Sequence, residues 1–230
     1  MPAGDESTLE VLRLTLVVAA SATALVALPA LATGYLLARR EFRGKSVVET
    51  VVALPLVLPP TAIGYLLLAL FARRGPLGEE TLGFDPGVLF TARGAVLASA
   101  VVAFPLVART ARVAFEGVDP RLERMAATLG WSRWRVLARL SLPLARRGLL
   151  AALVLGFARC LGEFGATVIV AGNIPGRTQT LALAIFRDIQ LGDERGALLL
   201  VGLTVVLAFV CLALVERWSR PARCAGEEVA

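Results

Sequence analysis

The sequence contains no histidine. Acid–base, nucleophilic or metal chemistry built on an imidazole is therefore excluded. The remaining route to an activated nucleophile, Ser or Cys beside Arg or Glu, is nowhere suitably arrayed. Cysteine is scarce: Cys160, Cys211 and Cys224 are odd in number, lack metal-ligand spacing, and two of them sit in apolar runs. They read as small core residues, with no disulfide expected. The opening stretch MPAGDESTLE is acidic and lacks the basic n-region of a signal peptide. A phosphate-binding loop is missing as well. Gly44-Lys45-Ser46 resembles its end, but Arg39 stands where the first glycine belongs, and the site lies between two apolar runs rather than after a strand. The chain thus brings no ATP site or other cofactor site, and ATP-driven work requires a partner. No internal repeat of the kind common in stand-alone secondary transporters is visible.

What the sequence has in excess is apolar surface. Hydrophobic residues make up 57% of the 230, and the mean hydropathy is +0.74, against an apolar share of about 45–50% in soluble domains. The net charge of +6 comes from arginines set between apolar runs rather than gathered on one face, so no nucleic-acid partner is expected. A helix needs ~20 mostly apolar residues to cross the hydrocarbon core. Five stretches qualify: 14–38, 47–72, 94–113, 148–172 and 197–215. A sixth, 181–186, is too short and reads as a surface or re-entrant helix. The expectation is an all-α integral membrane protein, one transmembrane domain over residues 1–230.

Arginine placement gives an orientation, because loops left in the cytoplasm carry excess Lys and Arg. Arg39, Arg40, Arg43 and Lys45 follow the first span. Arg109, Arg112, Arg121, Arg124, Arg133, Arg135, Arg139, Arg146 and Arg147 surround the loop after the third, and Arg217, Arg220 and Arg223 follow the last. On the other side Arg73, Arg74 and Arg93 are matched by Glu79, Glu80 and Asp85, and Arg177, Arg187 and Arg195 by Asp188, Asp193 and Glu194. Five spans then put the N-terminus outside and the C-terminus in the cytoplasm of a multi-pass cell-membrane protein. The second span carries Pro55, Pro59 and Pro60 inside a helix, and Pro105 lies in the third. Each removes a backbone hydrogen bond, so the second span kinks, either for packing or as a bending point.

The cytoplasmic stretch 119–143, DPRLERMAATLGWSRWRVLARLSLP, predicts a helix–turn–helix. Asp119 caps a helix that starts at Pro120, and Leu122, Met125, Ala126 and Leu129 form an apolar stripe. Gly130 stops it. A second helix, with Trp131, Trp134 and Ala138 on one side and Arg135 and Arg139 on another, closes at Pro143. An apolar stripe on a cytosolic loop needs a covering surface, which makes this a docking element.

The spacing from Ala126 through Gly130 to Leu142-Pro143 resembles the "EAA" loop of permease subunits of binding-protein-dependent ABC importers. The family glutamate falls at Arg124, with Glu123 beside it, and Met125 stands where the first alanine is usual. In that family the loop is the coupling helix, seated in a groove of the ATP-hydrolysing subunit. The resemblance therefore implies ATPase-coupling roles for Asp119, Leu122, Glu123, Met125, Ala126, Ala127, Leu129 and Gly130.

The fourth span and its exit, Phe157 to Phe186, hold the most informative intramembrane residues. Arg159 and Glu163 are four apart and on one helix face, where they pair either as a structural link or as a lining of the pathway. Gly162, Gly165, Gly172 and Gly176 allow close approach and bends. Thr167, Asn173, Thr178, Gln179 and Thr180 offer donors to a hydrated anion. GEFGAT, NIPG-x-TQTL and LPLVLPP-x-x-x-GY-LL resemble the permease of molybdate ABC transporters, from about Leu14 to Arg217, with related segments in sulfate and tungstate permeases. This resemblance implies a type I-like importer permease working as two copies on two ABC ATPase subunits, with ATP and magnesium on those subunits. A periplasmic or lipid-anchored binding protein delivers the oxyanion. It also implies a pathway or gate at Arg159, Glu163, Gly165, Thr167, Asn173, Gly176, Thr178 and Thr180. A secondary transporter working alone leaves the docking stretch without purpose. A purely structural subunit explains neither the glycine-rich exit nor Arg159 with Glu163.

Overall fold

The computed structural model describes residues 3–219, and every regular element among them is a helix. In chain order these are α1 (Ala3–Arg39), α2 (Lys45–Val57), α3 (Pro60–Phe71), α4 (Glu79–Leu82), α5 (Ala92–Glu116), α6 (Pro120–Thr128) and α7 (Arg133–Val136). A π-helical turn at Leu137–Ser141 leads into α8 (Leu142–Leu161), followed by α9 (Gly165–Ala171), α10 (Leu181–Leu191) and α11 (Glu194–Ser219). The expectations for Cys224, Arg220 and Arg223 lie outside the described residues. Cys160 and Cys211 are buried and free.

Small residues recurring at helical spacing build the core. On α1, Ala19, Ala22, Val26 and Ala30 are buried, and they cluster with Ala103, Val107, Ala111 and Phe115 of α5 and Leu149 and Ala152 of α8. Without the hydrophobic effect to press helices together in lipid, such close-packed small side chains are what let backbones approach. At Gly34 an added Cβ would stand 2.8 Å from the Ala108 carbonyl oxygen. Val18, further back along α1, clusters with Ala95, so α1 and α5 run parallel. The α8 helix runs against them, with Gly148 beside Ala114 and the Cys160 thiol 3.7 Å from the Ser99 carbonyl.

Two parallel neighbours demand that whatever joins them travels the whole length of the bundle. The joining segment is the second expected span, and here the structure corrects the expectation of a single kinked helix over 47–72. α2 and α3 meet at 107°. The cause is Pro59-Pro60: a residue preceding proline is pushed out of the helical region, and Leu58 (ψ 140°) and Pro59 (ψ 134°) are both extended. Pro55, by contrast, is carried inside α2. The pair still reaches from one end of α5 to the other. Glu49 of α2 pairs with Arg112 near the end of α5 at 2.7 Å, whereas Ile63 and Leu67 of α3 cluster with Ala98 and Val102.

Two further boundaries differ from expectation. Pro143 does not close the second docking helix; the chain is helical from Arg133 to Leu161, and Pro143 sits in the first turn of α8. The widened π-turn immediately before it absorbs the proline's missing N–H and the bulk of its ring. The expected fourth span, 148–172, is two pieces, because the helix stops at Leu161 and restarts at Gly165. The 181–186 stretch is the start of α10, whose Leu181, Leu183 and Ala184 are buried; Leu181 and Ala184 pack with Val11 and Leu200. It is therefore a packed helix of the bundle rather than one lying on the surface. α11 returns along α8, with Val205, Val206 and Phe209 turned outward, as a lipid-facing surface requires.

Candidate functional site

At the α5–α6 end, local sequence sets each docking residue. The Asp119 carboxylate accepts from the Arg121 N–H at 2.8 Å, and Pro120 opens α6. Helix α6 ends at Thr128, and Gly130 takes φ +81° with nothing within 4 Å of where a Cβ would stand, so glycine is required there for its backbone alone. Ser132 then caps α7 through the Arg135 N–H. Leu122, Met125, Ala127 and Leu129 are exposed, as is Trp134 at 80% of its surface. Ala126 alone of the expected stripe turns inward, and Trp131 lies half-buried in the turn rather than on the second helix. Beside this surface a groove of about 730 Å³ runs between Tyr35 and Arg39 of α1, Glu123 and Ala127 of α6, and the two tryptophans.

Glu123 is not part of the outer surface. Its Oε1 lies 3.0 Å from an Arg39 NH2 and accepts from the Arg39 Nε at 3.1 Å and the Ser141 hydroxyl at 2.7 Å. Arg39 also donates to the Val118 carbonyl at 2.8 Å. The Arg39 and Glu123 side chains keep only 10% and 17% of their surface. Sequence reading treated Arg39 as one more cytoplasmic cation and missed Ser141. The contacts span 84 and 18 positions, and no local pattern announces them.

The opposite half holds the second constellation. Arg159 and Glu163 pair at 2.8 Å, with 32% and 2% of their side chains exposed. They do not share a helix face: Gly162 ends α8, and Glu163 lies in the break, where its Oε1 accepts the Ala166 N–H at 3.0 Å and so caps α9. Gly165 lies against Pro60, and Gly64 against Ala166, with an added Cβ 2.8 and 2.9 Å from its neighbour. The two broken helices are thus seated on each other beside their breaks.

The polar residues of the exit are mostly occupied by one another. Thr178 accepts from the Ile174 N–H at 3.0 Å. Asn173 accepts from Gln179 at 2.8 Å and donates to the Leu183 carbonyl; Arg187 bridges Gln179 and Asp188. Gly176 shapes the exposed turn at φ +71°. Thr15 of α1 caps α10 by accepting the Leu181 N–H at 2.8 Å, a contact that no sequence signal offered. Only the hydroxyls of Thr167 and Thr180 are buried without a hydrogen-bond partner among the described residues. Asn173, Thr178 and Gln179 thus hold the loop together, and the Arg159 side chain keeps 32% of its surface.

The bundle thus contains a span broken between α2 and α3, an exposed apolar helix pair at one end, and an ion pair at the break between α8 and α9. The family model described as "Binding-protein-dependent transport system inner membrane component" matches residues 30–223. The chain belongs to that family. It is 48% identical over 195 residues to the molybdenum transport system permease protein ModB of Haemophilus influenzae, covering 83% of this chain and 84% of that one. A sulfate transport system permease protein, CysW of Synechococcus elongatus, is 35% identical, covering 93% and 76%. Among solved structures, the MetNI methionine ABC transporter in an inward-facing conformation matches with a TM-score of 0.64 over 94% of this chain and 95% of that one, at 17% identity. That likeness is one of fold.

Proposed function

We propose that this chain is the membrane permease of an ABC importer that moves molybdate into the cell. The observation that carries the transport half is the docking end: exposed Leu122, Met125, Leu129 and Trp134 on a capped helix pair need a covering surface. Two ABC ATPase subunits, holding ATP and magnesium, supply that surface to two copies of this chain. The substrate half rests on the nearer kinship to a molybdenum permease, at 48%, than to a sulfate permease, at 35%.

The arginine-rich α5–α6 end faces the cytoplasm, so the N-terminus lies outside and the C-terminus inside. A periplasmic or lipid-anchored binding protein delivers the oxyanion at the other end. Closure of the ATPase dimer pulls on 119–143, and the bundle shifts between two states because each ligand prefers one of them. Inside, Arg159 offers the oxyanion a partly exposed guanidinium, and the paired breaks at Pro59 and Gly162 are where the pathway opens. The test is uptake of labelled molybdate and of sulfate in cells lacking this chain, with and without its restoration. Recovery of molybdate uptake alone is expected. Recovery of sulfate uptake would overturn the substrate, and recovery of neither, with the partners present, would overturn the class.

A further inference from the structure

We propose that Glu123 is a positioning residue: through Arg39 and Ser141 it carries movement of the docking helix into α1 and the π-turn, and it does not contact the ATPase. The inference rests on the docking function proposed above and concerns how the load is passed on. Four backbone segments converge on this node. Glu123 belongs to α6, Val118 to the turn between α5 and α6, Ser141 to the π-turn, and Arg39 to the last turn of α1. One carboxylate oxygen receives both the guanidinium and the hydroxyl, and little of either charged side chain reaches solvent. Such a group is strongly bound to its place, because separating it leaves Arg39 without a counter-ion in a mostly enclosed site.

What the node grips matters as much as how firmly. α1 is held at two points: at its last turn by Arg39, and within its first half by Thr15, which caps α10 beside the exit loop. Between them α1 lies along α5 with almost no clearance at Gly34. A displacement of α6 therefore reaches Thr15 along one continuous helix, which carries Pro29 between the two points. The π-turn is the second receiver. A π-turn has one residue more than the helix on either side needs, so it yields by shifting that extra residue along the helix. Ser141, fully buried at its end, ties that shift to Glu123.

The test uses the complex of this chain with its ATPase in proteoliposomes, with molybdate and the binding protein present, and reads molybdate moved per ATP hydrolysed. Glu123→Gln keeps the size and a Ser141 acceptor but removes the charge. It is expected to assemble with the ATPase and hydrolyse ATP as before, while transport per ATP falls about fivefold or more. Arg39→Gln should give the same loss, and the double variant no greater one, since both break one link. Loss of ATPase binding in E123Q without a lower melting midpoint would make Glu123 a partner contact and overturn the inference. An unchanged transport-per-ATP ratio would overturn it equally. Where E123Q melts early, Ser141→Ala decides, because it leaves the ion pair intact: a smaller deficit of the same kind supports the node, and a wild-type ratio overturns it. A wild-type complex that neither binds an ATPase nor moves molybdate would instead overturn the functional reading.

Discussion

The two ends of this molecule use the same residue type for opposite reasons. At Gly130 the backbone is left-handed and the space around it is empty; at Gly64 and Gly165 φ is not positive, but a neighbouring backbone or ring fills the place of a Cβ. The docking end displays large apolar side chains to nothing in this chain, whereas the helix breaks are sealed by α3 lying on α9. One end is unfinished without a partner, and the other is finished by its own chain. Substitutions at the breaks should therefore damage the fold itself, and substitutions at the docking end should damage assembly or coupling.

The largest effect is expected at Glu163, which serves two bonds at once. Breaking a buried ion pair costs ~3–5 kcal/mol, an upper bound here because the Arg159 side chain keeps 32% of its surface. Glu163→Ala also uncaps α9, whereas Glu163→Gln retains an oxygen for the Ala166 N–H. The alanine variant should melt earlier than the glutamine one in detergent, and both should lose uptake. Silent Arg159→Ala and Glu163→Ala variants would remove the pair from both fold and pathway.

Next in size is the glycine comparison itself. Gly64→Val drives a β-branched side chain into the Ala166 backbone, an overpacking cost of about 1–3 kcal/mol, with lower melting and lost uptake. Gly130→Ala meets no atom and carries only the left-handed penalty of about 1–2 kcal/mol for an L residue. Gly130→Pro is worse in kind: proline cannot take φ +81° and removes the N–H given to Ala127. That variant should insert normally yet fail to couple ATP hydrolysis to uptake. If G130A melted earlier than G64V, the contrast between conformation and packing would be wrong.

The fold was legible where periodicity and capping are local. The first, third and last spans follow from apolar length alone, and Asp119, Pro120 and Gly130 mark the first docking helix as read. Failures cluster where a proline or glycine had to be assigned a consequence. Pro59-Pro60 breaks the second span outright, while Pro143, expected as a stop, is absorbed by a π-turn. Both are helix-breaking residues, and what distinguishes them is tertiary: the chain beyond Pro60 has α9 to pack on, while the helix through Pro143 is held by the Ser141–Glu123 bond. The site was legible as pairs and not as networks. Arg159 with Glu163 was found because four positions separate them. The role of Glu123 was assigned outward from its neighbours in sequence, when its partner lies 84 positions away.

The smallest effect on the fold, and the sharpest test of the contrast, is Trp134→Ala. Trp134 is 80% exposed, and its indole makes no hydrogen bond among the described residues. Surface changes of this kind shift stability by only about 0.5 kcal/mol, so the melting midpoint of the isolated chain should not move. A large aromatic side chain in the centre of a docked surface is another matter, since truncation there costs ~2 kcal/mol or more of binding, roughly thirtyfold in affinity at 1.4 kcal/mol per decade. Titrating the purified ATPase subunit onto wild-type and W134A permease reads that difference directly. A weaker complex at an unchanged melting midpoint is what an end completed by a partner requires. Equal affinity would mean that the tryptophan faces the bilayer interface instead, and the docking surface would then contract to Leu122, Met125 and Leu129.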